Sequence, residues 1–270
     1  MSTSNKSVRF IHGLGKRKSR EENGCFFLEG ARAVGELVSA GATMQTLVVS
    51  QSYGNHIQPG STQAEELDRL IARAGDVLLV GDQAFRFLAE TVNPQGIGAV
   101  LEFPAVPSLL DILRKSSRLL ILENLQDPGN LGTCIRTADA FGFDAVLCVS
   151  DCVDAYNPKV LRSTVGSMFH IPVLRIEENI STLLDQVKEQ GFTVYGAHPR
   201  GGAKARDERL FTGKSALIIG NEGAGLTEAA KRGSDSLVTI PMPGRAESLN
   251  AGIAAAVLMY EVIRRKEDER

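Results

Sequence analysis

The chain has 270 residues, 43% hydrophobic and 23% charged, with a formal net charge of −2, which is typical of a folded globular protein. No apolar run approaches the roughly 18 to 20 residues of a membrane-spanning helix, and the polar, basic N-terminus lacks the apolar segment of a secretory signal. Four cysteines in a chain of this length do not suggest a disulfide framework, so we expect a cytoplasmic protein with reduced thiols.

The first twenty residues form a basic segment without an acidic side chain. Its six cations are Lys6, Arg9, Lys16, Arg17, Lys18 and Arg20. Lys and Arg neutralise nucleic-acid phosphates, so residues 1–20 are interpreted as a basic N-terminal arm that can contact nucleic acid. A solvated terminus explains the same charges.

Helix and strand patterns alternate from residue 31 to residue 103. Helical spacing and terminal glycines or capping residues predict helices at 31–41, 61–75 and 83–90. Short apolar runs predict strands at 46–50, 77–80 and 97–103. Two prolines in FPAVPSLL (103–110) indicate a domain boundary, which separates a small α/β domain at 21–104 from a second domain at 105–270.

The second domain repeats strand, loop and helix. The predicted strands are 118–124, 144–150, 173–176, 192–197, 214–220 and 235–242. The predicted helices are 131–141, 157–169, 180–191 and 248–266, with a short helix after a glycine-rich segment. This alternation predicts a largely parallel sheet covered on both faces, and hence an α/β fold.

Ligands of open parallel sheets bind at the carboxyl ends of the strands, where three loops have unusual composition. The first is DPGNLGTCIRTADAFG (127–142), which places Asn130 near a helix N-terminus with free backbone N–H groups. Arg136 lies about 100° from Ile135, at the edge of the apolar stripe of this helix. It can reach the end of the sheet or a partner chain, or simply extend along the helix surface.

The other two loops follow later strands. GNEGAGL (220–226) has three glycines, which permit close backbone approach to a ligand, but it is neither GxGxxG nor a P-loop. Its Glu222 argues against a phosphate ligand. IPMPGRAESLN (240–250) is an irregular loop before a helix rich in small residues. A tight turn and an N-capped, alanine-rich helix are the purely structural explanations.

The chain resembles the SpoU/TrmH family of RNA ribose 2′-O-methyltransferases, within the SPOUT superfamily. The three motifs of this family are matched, in this order, by NLGTCIRTADAFG, LIIGNEGAGL and IPMPGRAESLNAGIAAAVLMYE. FFLEGARAVGELVSAG (26–41) and TVNPQGIGAVLEF (91–103) resemble the family's substrate-binding domain, a small α/β fold related to ribosomal RNA-binding proteins.

The resemblance implies an N-terminal RNA-binding domain, and a C-terminal SPOUT domain with a mostly parallel sheet and a deep trefoil knot. It also implies S-adenosylmethionine as cofactor, a homodimer with its sites near the interface, and no metal. The implied catalytic residues are Arg136, Asn130, Glu222, Ser248 and Asn250. The implied cofactor-binding residues are Gly220, Ile240, Met242 and Leu249. The candidate RNA contacts are Lys16, Arg17, Lys18, Arg20 and Arg32.

The implied reaction removes a proton from a ribose 2′-hydroxyl as the carbon–oxygen bond forms. No histidine lies within the three motifs, and the resemblance implies that Arg136 is the key residue. Because arginine is normally protonated, we prefer an electrostatic role at the phosphate and the developing alkoxide, with a role as base left open. In a homodimer, Arg136 can serve the partner's cofactor.

One loop departs from the family pattern. HPRGGAKARDERLF (198–211) is longer and more basic than the acidic-glycine loop of other members. This difference leaves cofactor contacts there open, and RNA contacts through Arg200, Lys204 and Arg206 are an alternative to a solvated loop. The acidic pI of 6.1 means that RNA binding must depend on local basic surfaces.

Large-subunit ribosomal RNA is the preferred substrate because of the front domain, and tRNA is the alternative. A non-catalytic RNA-binding or ribosome-assembly factor on the same fold is a further alternative, against which the complete set of polar motif residues argues. A zinc site has little support, since Cys148 and Cys152 form a lone CxxxC pair.

Overall fold

The structure is a computed structural model that describes residues 2–164 and 166–268, with side chains described as far as residue 264. The chain divides into two compact units. The first comprises Met1–Ala105 and Tyr156–Phe169, and the second comprises Val106–Ala155 and His170–Arg270. Among the described residues, no helix is both long and apolar enough to cross a bilayer.

Twelve helices and eleven strands are found in the described ranges. The helices are α1 (Lys6–Gly13), α2 (Arg17–Asn23), α3 (Ala31–Ser39), α4 (Gln51–His56), α5 (Thr62–Ile71), α6 (Asp82–Leu88), α7 (Leu109–Lys115), α8 (Pro128–Ala140), α9 (Pro158–Thr164), α10 (Ile180–Glu189), α11 (Glu228–Gly233) and α12 (Ala251–Asp268). The strands are β1 (Cys25–Glu29), β2 (Met44–Ser50), β3 (Ala74–Val80), β4 (Ile97–Glu102), β5 (Arg118–Glu123), β6 (Ala145–Val149), β7 (Val173–Ile176), β8 (Thr193–Ala197), β9 (Ala203–Lys204), β10 (Ser215–Ile219) and β11 (Ser236–Thr239).

The first unit is built on a four-stranded sheet in the order β1-β4-β2-β3, in which β2 and β3 are parallel and the other pairs are antiparallel. Helices α1 and α2 belong to this unit, so most of the predicted basic arm is folded. Val8, Ile11 and Leu14, three residues apart, are buried in a core cluster with Phe85 of α6. The sequence prediction missed α1 because it interpreted this segment by its charges and not by the spacing of these apolar residues.

Arg20 lies within this folded segment and is only 3% exposed. Its Nη1 donates hydrogen bonds to the carbonyl oxygens of Leu14 (2.7 Å) and Gly15 (2.9 Å). The prediction of Arg20 as an RNA contact is therefore wrong, because the guanidinium holds the α1–α2 connection together. The neighbouring Arg17 and Lys18 lie at the surface in ion pairs within α2.

Residues 156–169 lie within the second half of the sequence but pack in the first unit. Aromatic rings account for this packing. Tyr156 stacks on Phe103 with 4.2 Å between ring centroids and tilts against Phe26 at 5.4 Å, and Phe169 lies 6.2 Å from Phe26. The predicted helix at 157–169 is shorter than expected, and Gly166 has a φ of +89° before a 3₁₀ turn at Ser167–Phe169.

The second unit is built on a seven-stranded sheet in the order β7-β6-β5-β10-β8-β11-β9. Every neighbouring pair is parallel, which confirms the predicted parallel sheet. Strands β6 and β10 are buried along their whole length, as expected for a sheet covered on both faces. The parallel arrangement brings the carboxyl ends of β5, β8, β10 and β11 to one edge.

Candidate functional site

A cavity of about 420 Å³ lies at the carboxyl ends of β8, β10 and β11. This volume is within the range of about 300 to 1,000 Å³ that is common for small-molecule sites. The predicted cofactor-binding residues that line it are Gly220, Ile240, Met242 and Leu249. Two predicted catalytic residues, Glu222 and Ser248, also line the cavity, whereas Asn130, Arg136 and Asn250 do not.

Gly220 begins a tight turn after β10. A Cβ atom on Gly220 would lie 2.3 Å from the carbonyl carbon of Gly225 and 2.5 Å from its oxygen, so no larger residue fits without moving backbone. Asn221 and Gly225 exchange backbone hydrogen bonds of 3.1 and 2.9 Å, and Gly225 has a φ of +70°. Close backbone approach therefore explains Gly220, and the positive φ explains Gly225, in a turn that also forms one wall of the cavity.

The end of this turn is anchored to β5 by Glu123, a fully buried carboxylate. Glu123 accepts hydrogen bonds from the Thr227 N–H (2.9 Å) and hydroxyl (2.6 Å). The same hydroxyl accepts from the N–H of Ala230 and caps α11. The sequence prediction missed this anchor, although an acid that ends a buried apolar strand must find donors.

Three side chains join the three motif loops. Asn130 Nδ2 donates to Glu222 Oε1 at 3.0 Å, and Asn250 Nδ2 donates to Asn130 Oδ1 at 2.8 Å. The backbone N–H of Asp127 also donates to Glu222 Oε1 at 3.0 Å. Asn250 in turn caps α12 by accepting from the N–H of Ile253 at 3.2 Å. A single hydrogen-bonded network thus fixes the starts of α8 and α12 against the glycine-rich turn.

The network sets the charge state of Glu222. Partial burial alone raises the pKa of this carboxyl, but the hydrogen bonds from Asn130 and from the Asp127 N–H outweigh the burial, so the pKa lies below its ordinary value. Glu222 is therefore an ionised acceptor at neutral pH, and its role in the network is to hold Asn130 and the start of α8.

Arg136 does not join this network. It follows Asn130 by six residues on α8, which corresponds to about 240° around the helix and about 9 Å along it. The guanidinium is exposed and has no hydrogen bond or ion pair with any described residue. Helix α12 packs beside it on α8, where a Cβ on Gly252 would lie 3.2 Å from Thr133. The chain thus presents Arg136 at its surface, away from its own cavity.

The basic loop after β8 also lines the cavity, through His198 and Arg200. His198 thus lies at the cavity although it is outside the three motifs, and Arg200 lines the cavity while remaining exposed. Lys231 and Glu247 are further lining residues that the sequence prediction missed. For His198 and Arg200 a signal existed, since both follow directly on the carboxyl end of a predicted strand.

Neither metal binding nor thiol chemistry is supported. No cluster of three His, Cys, Asp or Glu side chains within the described ranges is arranged to hold a metal ion. All four cysteines are buried and free. Burial raises the pKa of Cys134 to about 12, and Cys152 Sγ donates to the carbonyl oxygen of Leu122 at 3.1 Å. These thiols belong to the core.

Two family models match the chain. That of the SpoU rRNA Methylase family matches residues 117–260, and that of the MRM3-like substrate binding domain matches residues 5–99. The 23S rRNA (guanosine(2553)-2′-O)-methyltransferase RlmP of Bacillus subtilis is 35% identical over 261 residues, which is 97% of each protein.

Solved structures give the same result over nearly the whole length. An AdoMet-bound rRNA methyltransferase from Sinorhizobium meliloti has a TM-score of 0.82 and 30% identity, covering 98% of this chain and 96% of that one. The SpoU methyltransferase AviRb from Streptomyces viridochromogenes, in complex with AdoMet, has a TM-score of 0.84 and 30% identity, covering 98% and 100%.

Proposed function

Because the chain belongs to the SpoU rRNA methylase family, we propose that it transfers a methyl group from S-adenosylmethionine to a ribose 2′-hydroxyl of large-subunit ribosomal RNA. The observation that carries this proposal is the cavity at the carboxyl ends of β8, β10 and β11, which the second and third motif loops line and to which the first is joined through Asn130. Ribosomal RNA is favoured over tRNA because the relative named as a 23S rRNA enzyme matches both units, including the substrate-binding domain.

The residues of the cavity fit the cofactor. At Gly220 the turn leaves no room for a side chain, and Ile240, Met242 and Leu249 supply apolar walls that suit a neutral adenine. Backbone groups of this turn and of residues 240–249 would orient the adenine, in place of a carboxylate. When bound, S-adenosylmethionine supplies the methyl group as an electrophile.

The remaining motif residues would position the RNA ribose that accepts the methyl group. Asn130, Glu222 and Asn250 hold the starts of α8 and α12, and Ser248 lines the cavity, where its hydroxyl would orient the ribose. Arg136 would bind the phosphate next to the target ribose and stabilise the negative charge that develops on the 2′-oxygen as its proton leaves. An electrostatic role is preferred to a role as base, since a guanidinium keeps its proton.

We also propose a homodimer in which Arg136 serves the partner's cavity. Helix α12 and the residue before its cap expose an apolar stripe at helical spacing: Leu249, Ile253, Val257 and Tyr260, each between 37% and 51% exposed. Tyr260 lies 6.1 Å from Phe141 at the end of α8, the helix that carries Arg136. Covering this stripe with a second copy would bury apolar surface and bring an external Arg136 to each cavity.

The trefoil knot, cytoplasmic location and RNA contacts are proposed with the same function. The insertion of β10 between β5 and β8 and the return of the chain to α12, beside α8 and β10, support a knot. The four free cysteines support a reducing compartment. Four cations remain candidate RNA contacts: Lys16, Arg17, Lys18 and Arg32. Arg32 pairs with Glu36 at 2.8 Å, so an RNA phosphate would have to displace that carboxylate.

Transfer of a labelled methyl group tests the function. The purified chain is incubated with methyl-labelled S-adenosylmethionine and either ribosomal RNA or tRNA that lacks modifications. We expect label in the large ribosomal RNA and little in tRNA. Label in tRNA alone would overturn the choice of substrate, and label in neither RNA would support a non-catalytic role.

A further inference from the structure

Building on the proposed function, we infer that Arg200 is a cofactor-binding residue and that its guanidinium takes the carboxylate of the methionine part of S-adenosylmethionine. His198 acts as a positioning residue for Arg200. Both residues come from the basic loop after β8, outside the three motifs.

The loop that carries Arg200 is built into the sheet. The backbone N–H of His198 donates to the Val238 carbonyl oxygen at 2.9 Å, and the Thr239 hydroxyl donates to the His198 carbonyl oxygen at 2.9 Å. Strand β9, directly after the loop, pairs in parallel with β11. A Cβ on Gly202 would lie 2.5 Å from the Leu237 carbonyl oxygen, so the loop lies directly on β11. Its backbone is therefore fixed at the cavity wall.

His198 stabilises the turn that presents Arg200. The imidazole Nδ1 is within hydrogen-bond distance of the Arg200 carbonyl oxygen. This contact closes the loop across one intervening residue, Pro199, whose ring restricts the backbone further. The backbone of Arg200 is thus held in place, while its long side chain is exposed and lines the cavity.

Arg200 is also the cavity cation that is free to bind an anion. The Lys231 ammonium, which lines the same cavity, is 2.8 Å from the Glu228 carboxylate. Arg200 has no side-chain hydrogen bond or ion pair within the described part of the chain. Glu222 does not compete for it, because N–H groups from Asn130 and Asp127 occupy that carboxylate.

The functional groups of S-adenosylmethionine indicate which part of the cofactor Arg200 binds. S-adenosylmethionine carries a neutral adenine, a cationic sulfonium, an ammonium and a single anionic group, the carboxylate. The glycine and apolar wall at Gly220, Ile240 and Leu249 suits the adenine, which leaves the charged end of the ligand for the polar part of the cavity. A guanidinium binds a carboxylate through two parallel N–H···O bonds.

Calorimetric titration with two ligands tests this assignment. S-adenosylmethionine has the carboxylate, and 5′-methylthioadenosine has the same nucleoside but no amino-acid part. We expect Arg200→Ala to weaken the affinity for S-adenosylmethionine about tenfold or more, and to leave the affinity for 5′-methylthioadenosine unchanged. His198→Ala is expected to have a smaller effect of the same selectivity. Lys204→Ala, a change of an exposed cation on β9 that does not line the cavity, is the control and should alter neither affinity.

Three results would overturn the inference. Equal weakening of both ligands would mean that Arg200 only supports the loop. Unchanged affinity for S-adenosylmethionine, together with a raised KM for RNA, would make Arg200 a phosphate contact. Failure of the unmodified chain to bind S-adenosylmethionine would overturn the proposed function as well, whereas the first two results leave that function intact.

Discussion

Glu222 and Arg136, the two charged residues of the predicted catalytic set, are used in opposite ways. Glu222 accepts hydrogen bonds from the N–H groups of Asp127 and Gln126 and from the side chains of Asn130 and Asn221, and it joins the glycine-rich turn to the start of α8. Arg136 lies at the surface and touches none of them. The first residue therefore shapes the site within one chain, and the second is available to an external partner.

The stability contributed by Glu222 should depend on pH. Its folded-state pKa is lowered, so its contribution is fully present above the ordinary value of 4.5 and is lost as the pH falls through the folded-state value. We expect Glu222→Gln to be less stable than the unmodified chain near pH 7, with a difference that shrinks towards pH 3. Denaturant unfolding at several pH values between 7 and 3 measures this difference in the free energy of unfolding. Glu247→Gln, a change of another cavity carboxylate outside the network, is the control, and a difference that does not vary with pH would contradict the account.

Arg136→Ala should slow methyl transfer by about 100-fold or more and leave the affinity for S-adenosylmethionine nearly unchanged, because the proposed role of Arg136 is at the RNA phosphate and the 2′-oxygen and not at the cofactor. Single-turnover assays with RNA and calorimetry with the cofactor measure the two quantities separately. The matched control is Arg175→Ala, which removes an exposed arginine from the edge strand β7. Near-normal turnover in Arg136→Ala would remove this residue from the mechanism.

At the scale of elements, the glycine-rich turn shows how backbone packing forms the site. Gly220 and Gly223 are only three residues apart, yet they differ in the space around them. A Cβ on Gly220 would collide with the backbone of Gly225, whereas a Cβ on Gly223 would meet only the Asn221 side chain at 3.7 Å, an ordinary contact. One glycine is therefore required by packing, and the other is not.

Gly220→Ala should displace this turn, destabilise the fold by about 1–3 kcal/mol and greatly weaken cofactor binding. Gly223→Ala should be close to neutral in stability, because its Cβ has room. Thermal unfolding and cofactor titration of the two variants form a matched comparison. Equal behaviour of the two variants would mean that the close approach at Gly220 does not exist in solution.

The sequence predicted elements best where burial is continuous. Strands such as Arg118–Glu123 and Ser215–Ile219 have continuous apolar runs, at 119–122 and 216–219, and the sequence predicts their ends to within one residue. Helix α1 is missed because it has few buried residues within a segment interpreted by its charge, and the stabilising role of Arg20 depends on carbonyl oxygens at a helix end. The network of Asn130 and Glu222, 92 positions apart, depends on strand order, which periodicity does not reveal.

At the scale of the whole molecule, the two units differ in what they contain. The first matches a substrate-binding domain, and the second contains the cavity. The proposed homodimer would bring Arg136 of each chain to the partner's cavity, since Arg136 does not line the cavity of its own chain. Its interface would consist of the exposed stripe on α12 together with the end of α8.

Val257→Asp, in the middle of that stripe, should convert the dimer to a monomer, because burying an unpaired carboxylate in an apolar interface is costly. Light scattering measures the molecular mass of the protein in solution, and hence the number of chains. Val92→Asp, at a loop position that is 96% exposed, is the control and should leave the dimer intact. A mass of one chain for the unmodified protein would contradict the homodimer.

Mixing two inactive variants then tests whether Arg136 acts on the partner's cavity. In a mixed dimer of Arg136→Ala and Gly220→Ala chains, action in trans leaves one site with an intact cavity and an intact arginine, whereas action within one chain leaves none. Recovery of activity on subunit exchange therefore supports the proposed arrangement, and its absence from dimers shown to be mixed contradicts it.

The central claim is that the methyl group goes to a ribose 2′-oxygen, and alkaline hydrolysis of the labelled RNA tests it most directly. A 2′-O-methyl group blocks cleavage of the adjacent phosphodiester, because the 2′-oxygen can no longer attack the phosphorus. We predict that the label from the large ribosomal RNA is recovered in an alkali-resistant dinucleotide from a single position. Label recovered on a base, in mononucleotides, would contradict the account.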